Sequence, residues 1–393
     1  MANQSPTASS VWQTEPFRIF FPLGVGIAWV GLSQWVFFPF GWPKAYACDL
    51  HGFIQMQAFT MAFAFGFLFT ALPRRTQSAP PSRAELSATT ALLVLVTLAG
   101  LFAQRVAMML GYFALFALLT RFALMRLLGS AARRRPPAAF ALVPIAALQG
   151  LIGPLLVIAG PRVNMLPWLY PLGRLFIEQG VFLCLIVGIG GLVLPLVGGW
   201  PPPADLGSSP RESRRALLFA AAGLVIVGSE IAEALGAFRA GPIVRGLVVA
   251  LGLALGGGAW RAPKKSGLHR RLVWLAMWLT PLGVLLSGLL PGLRVASLHV
   301  LFIGGYSLMC LAVATHVSYA HLPGLESLML TSHRAVKWMG GLVIVALLGR
   351  TAADVSHTYY QHLSSAAAAW IIGSAVWLGF LGPKLIRPPA AKG

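Results

Sequence analysis

Acidic residues are what this chain has least of: ten Asp and Glu stand against thirty Lys and Arg in 393 residues, and charged side chains of all kinds make up only 10%. Soluble domains are usually about a quarter charged, so a conventional water-facing surface is excluded. Cysteine is as scarce. Cys48, Cys184 and Cys310 are scattered singly with no CxxC pair, which excludes a disulfide framework or a thiolate-clustered metal site. Long polar stretches are missing too. The longest, 74–83 and 200–215, are short Pro- and Ser-rich connectors without apolar periodicity, so no soluble domain is marked. No repeat relates residues 1–196 to 197–393, which lowers the expectation of a two-fold transporter architecture.

What the chain has is apolar sequence: 57% hydrophobic residues and a mean hydropathy of +0.77. The reading is an all-α polytopic membrane protein. Twelve spans are predicted at 17–38, 51–72, 85–104, 106–128, 138–160, 173–198, 216–238, 242–260, 270–290, 294–318, 335–353 and 363–382, each long enough to cross about 30 Å of hydrocarbon as a helix. They form one domain, 17–383, between a disordered tail at 1–16, without the features of a signal peptide, and a C-terminal tail at 384–393. Lys and Arg alternate by side: 22 fall on the tails and even-numbered connections and 8 on the odd-numbered ones. The positive-inside rule then puts both termini in the cytoplasm, as for a multi-pass protein of the bacterial inner membrane. The clusters Arg133, Arg134, Arg135 and Lys264, Lys265, Arg270, Arg271 are read as topology signals and anionic-lipid contacts, with no nucleic-acid partner.

Histidine in such spans is costly unless it has a task, most often metal or haem ligation or proton transfer. His51 opens the second span, and Gln55 one turn on and Gln57 after it add unusual polarity to that helix. His299 lies about five residues into the tenth span, also entering from the outer side, so the two imidazoles share a depth on different helices. A bis-histidine b-type haem needs that arrangement. In the absence of CxxCH, any haem would be held by coordination and packing. His316 is roughly 25 Å further along the same helix and belongs elsewhere, near the cytoplasmic face. His321 follows it by five residues, about 140° round an ideal helix. His333, His357 and His362 read as solvated or headgroup residues.

Glu178 near the outer start of span 6, and Glu230 and Glu233 in the outer half of span 7, are carboxylates at membrane depth and candidates for moving protons. Arg174 is one turn before Glu178, so an ion pair is an equal reading there; Glu230 and Glu233 have only Arg239 nearby in sequence. Phe59, Phe63, Phe65, Phe67 and Phe69 are candidate walls of a porphyrin pocket, and Met56, Met61, Met309 and Cys310 are candidate soft ligands for copper.

The stretches FRIFFPLG at 17–24, HGFIQMQAFTMAFAFGFLFTALPRRT at 51–76 and LHVLFIGGYSLMCLAVATHVSYAH at 298–321 resemble the NnrS family, with weaker echoes in GRLFIEQG at 173–180 and GSEIAEALG at 228–236. Members are twelve-helix bacterial inner-membrane proteins containing haem and copper and linked to nitric oxide metabolism and stress. His51 matches the family's span-2 histidine, GFLFTALP at 66–73 its GFLLTA-x-P signature, His299 the LH that opens span 10 and His321 the GH that closes it. Two departures stand out. Many members have two histidines followed by Glu where this chain has His51, Phe53 and Ile54, and the usual Arg after Thr315 is His316 here.

The resemblance implies a membrane protein that uses haem b, with copper as a second metal, to bind or react with nitric oxide or to protect against it. His51 and His299 would be axial ligands beside Gln55, His316 and His321 would form an inner metal site, and Glu178 or Glu233 would supply protons. The electron donor is open. A proton-coupled small-molecule transporter is the alternative from a different class, and an accessory subunit sensing through haem is a third.

Overall fold

The computed structural model describes residues 8–41, 48–127 and 135–387. Among the described residues all regular structure is helical. Twelve helices are long and apolar enough to cross a membrane: Phe17–Phe40, His51–Thr76, Arg83–Leu101, Arg105–Leu127, Ala138–Arg162, Leu169–Gly198, Pro210–Ala234, Ala240–Gly257, Leu268–Leu289, Pro291–His321, Arg334–Ala353 and Tyr359–Ile386. These are spans 1 to 12, in the number and order that hydropathy predicts. The chain is a multi-pass membrane protein.

Span ends move to where caps put them. Span 7 starts six residues before its apolar run because Ser209 accepts a hydrogen bond from the Glu212 amide and Pro210 follows at the first helical position. Span 3 starts in a full capping box, Ser82 with Glu85. Span 8 stops at Gly257 because Gly258 takes the left-handed conformation at φ +64°, where a side chain would be strained.

The tails differ from expectation. Ala8–Thr14 is a short helix where the sequence predicts disorder, and span 12 runs to Ile386, into the predicted C-terminal tail. Arg18 explains why both ends are fixed. It is 2% exposed, holds Glu15 at 2.5 Å, and donates to the carbonyls of Lys384, Leu385 and Arg387 that the end of span 12 leaves without helical partners.

The even-numbered connections meet at this same end. Arg75 pairs with Asp205 and reaches the Arg135 carbonyl, the Leu206 amide bonds Pro136, the Lys264 amide bonds Gly198, and Arg270 reaches the carbonyls of Val197 and Met329. Arg133 and Arg134 lie outside the described residues. The basic face predicted from the Lys and Arg count is therefore one physical end of the bundle. A cysteine introduced at Ser208 should label from the same side of the membrane as one added after Gly393, and labelling from opposite sides would break this topology.

Spans 2, 6 and 10 are the most enclosed, with 72%, 83% and 61% of their most apolar stretches buried inside the bundle. Span 12 packs against spans 1 and 11, and span 10 packs against span 9. Indoles tie span 12 to its neighbours: Trp29 donates to Ser374 at 2.8 Å, Trp370 to Ser307 at 2.6 Å and Trp377 to Thr315 at 2.8 Å. Buried indole N–H groups need such partners.

Candidate functional site

The three most enclosed spans are also the three interrupted by a π-helical turn: Gln55–Phe59 in span 2, Phe176–Gly180 in span 6 and Val300–Ser307 in span 10. Such turns are uncommon and concentrate at functional sites. They lie together. The first two contact each other, and Tyr306 in the third donates to the Gln179 carbonyl in the second at 3.3 Å. Residues from all three border one cavity of about 400 Å³ at the end of the bundle opposite the termini, within the usual range for a ligand pocket of roughly 300–1,000 Å³.

His51, Gln55, Glu178 and His299 all line this cavity, so the structure brings together four candidates from three different spans. His51 Nδ1 bonds the Gly31 carbonyl at 3.1 Å, and His299 Nδ1 bonds the Val295 carbonyl one turn back at 2.8 Å. In each neutral ring this contact assigns the proton to Nδ1 and leaves the lone pair on Nε2. Edge-on contacts from Trp35 to His51, at 5.8 Å between ring centroids, and from His299 to Phe302, at 5.9 Å, hold the planes. Gln55 Nε2 donates to the Ala28 carbonyl at 3.0 Å. Gly31 permits this approach, because a Cβ there would fall 2.7 Å from that same nitrogen.

Phe59, Phe302 and Trp370 wall the cavity, and Arg174 and Arg350 supply cations to it. Arg174 pairs with Glu178 at 2.8 Å, the ion pair suggested by their spacing, and Arg350 pairs with Asp354 at 2.8 Å. Of the five phenylalanines offered as porphyrin walls, only Phe59 lines this cavity. Phe65 and Phe69 pack against Phe20 and Phe122, while Phe63 and Phe67 border a separate apolar cavity. Gln57 turns the other way, to Met109.

His316 and His321 both lie in the last stretch of span 10, at the terminal end. The two rings point to different neighbours. His316 lies 5.4 Å from the ring of His269 on span 9, whereas His321 sits edge-on to Phe17 at 5.7 Å. His269 hid in the basic run KKSGLHRR, where every neighbour reads as a topology signal. Its Nε2, the Nδ1 of His316 and the hydroxyl of nearby Tyr319 are buried without partners. Among the described residues no three His, Cys, Asp or Glu side chains converge on a metal position. The soft donors scatter as well: Met56 lines the His51 cavity, Met309 and Cys310 border the apolar one, and Met61 is in the core.

Glu233 is 2% exposed and held by two guanidiniums, Arg245 at 2.5 Å and Arg294. These partners lie on spans 8 and 10, not at Arg239, and neither was visible from local spacing. Arg245, itself fully buried, also donates to Gln179 at 2.9 Å and Ser229 at 3.4 Å, which ties span 8 to spans 6 and 7. Glu233 is thus an ion-pair partner that does not line the cavity. His357 is exposed, while His333 accepts from the Ala335 amide and stacks on Phe380 at 3.8 Å.

No curated protein shows a significant match to the chain. The sequence profile of the family described as NnrS protein does match, across residues 11–388, nearly the whole length and all twelve spans. The chain therefore belongs to the NnrS family.

Proposed function

We propose that this protein is a haem-binding protein of the bacterial inner membrane that binds or reacts with nitric oxide. One observation carries the reading: His51 and His299, from different spans, line the same cavity with Nδ1 committed to a backbone carbonyl and the Nε2 lone pair left for a metal. That is the usual outer-shell support of a ligating imidazole. The family's link to nitric oxide supports the substrate.

The cavity fits the group. His51 and His299 would hold it through their Nε2 atoms, Arg174 and Arg350, alongside their bonds to Glu178 and Asp354, would donate hydrogen bonds to its carboxylates, and Phe59, Phe302 and Trp370 would exclude water. When bound, haem would supply an iron that can exchange an electron and that could take a diatomic ligand only where one of the two imidazoles is released. Glu178 is the carboxylate at the cavity wall, and Arg174 keeps it oriented there; it is the side chain that would hold or pass a proton.

Any copper would fall to His269 and His316 at the terminal end, whose ring centroids are 5.4 Å apart; among the described residues no group of three His, Cys, Asp or Glu side chains is gathered there.

The test is an optical spectrum of the purified protein. A reduced-minus-oxidised b-type band is expected, and Glu178→Gln should retain it. Absence of the band in protein purified with adequate haem supply would overturn the haem reading and leave the proton-coupled transporter ahead. Loss of the band in Glu178→Gln alone would make that residue a ligand or a structural support instead.

A further inference from the structure

Glu230 on span 7 is fully buried, and among the described residues it takes part in no ion pair. Its Oε2 accepts a hydrogen bond from Gln149 Nε2 of span 5 at 2.9 Å. The other oxygen of each group, Glu230 Oε1 and Gln149 Oε1, is buried without any partner. Both converge on Gly180, the last residue of the span-6 π turn, where an added Cβ would collide with each of them. Two bare acceptors brought together in the bundle interior are unfavourable on two counts, mutual repulsion and lost hydration. Turning the Gln149 amide over does not help. It exchanges nitrogen and oxygen and leaves the new oxygen facing the other carboxylate oxygen.

A single hydrogen atom removes the conflict. We propose that Glu230 is a neutral carboxylic acid whose Oε1–H donates to Gln149 Oε1 while Gln149 Nε2–H donates to Glu230 Oε2, closing a two-bond ring over Gly180. An ionised carboxylate would have one neutral donor and no bonded cation at membrane depth. The charged and titratable groups in reach are Arg245, Glu233, Cys184 and Tyr306. Arg245 gives its bonds to Glu233, Gln179 and Ser229, and its Nε–H is left without a partner, so it does not bond Glu230. Cys184 and Tyr306 bring no positive charge. The chain thus keeps a proton in the membrane interior, two residues along the π turn from Glu178 and independent of what fills the cavity.

Infrared difference spectroscopy of the purified full chain tests this. With only ten acidic side chains in the protein, a neutral carboxylic acid carbonyl band is resolvable from the carboxylates. Glu230→Gln should remove one such band. The variant should also fold with unchanged thermal stability, because the glutamine amide N–H replaces the acid O–H as donor to Gln149. Loss of a carboxylate band in place of an acid band would overturn the proposal, and so would failure of Glu230→Gln to fold, since a neutral isostere preserves the ring.

Discussion

His51→Ala and His299→Ala are each expected to abolish the haem spectrum or convert it to a high-spin form while the protein still inserts. The two imidazoles sit on separate spans, and each is oriented by its own carbonyl, Gly31 for one and Val295 for the other. Removing one leaves the other ring and the cavity wall in place, so a coordination position on a bound haem would open without loss of bundle packing. Both side chains face a cavity rather than close-packed core, which limits the stability cost of truncation. His316→Ala and His321→Ala are at the other end of span 10 and should leave the spectrum unchanged. A spectrum that survives His299→Ala and disappears in His316→Ala would move the cofactor to the His269 end.

Arg245→Leu is expected to be the most damaging single change outside the cavity, on the order of 3–5 kcal/mol in thermal or denaturant unfolding. The loss strands a buried carboxylate on Glu233 and an acceptor on Gln179, with only the partly exposed Arg294 remaining to compensate. Replacing both partners, Arg245→Leu with Glu233→Leu, should recover part of that loss, because the fully buried charge pair goes together while the partly exposed Arg294 and the Gln179 oxygen lose their partners. An Arg245→Leu protein within about 1 kcal/mol of the parent would show that water or relaxation already screens this network.

Twelve spans and a basic end were legible because each depends on composition over twenty residues, a signal that no single contact can reverse. Boundaries shifted where one polar group, Ser209 or Ser82, extended a helix beyond its apolar run. The convergence of His51, Gln55 and His299 was legible from depth alone, since spans 2 and 10 both run inward from the same end and carry them near that end. The partners of Glu233 were not. Arg245 is twelve residues away and Arg294 sixty-one, and only packing brings them together. For the same reason Glu230 and Glu233, one turn apart, look alike in sequence yet meet an amide and two guanidiniums respectively. The π turns were hidden most completely, because backbone hydrogen-bond slippage leaves no trace in hydropathy.

Those turns make the cavity a matter of residue count. A π turn holds one residue more than the α turn it replaces, so everything beyond it is rotated by about 100° relative to an unbroken helix. Deleting a single residue within Val300–Ser307 would therefore swing His299 away from the face that the Trp377–Thr315 bond fixes beyond the turn, even though every side chain of the cavity remained in the chain. A one-residue gap in an otherwise well-matched relative would thus mark a different binding site more reliably than most substitutions in the cavity lining.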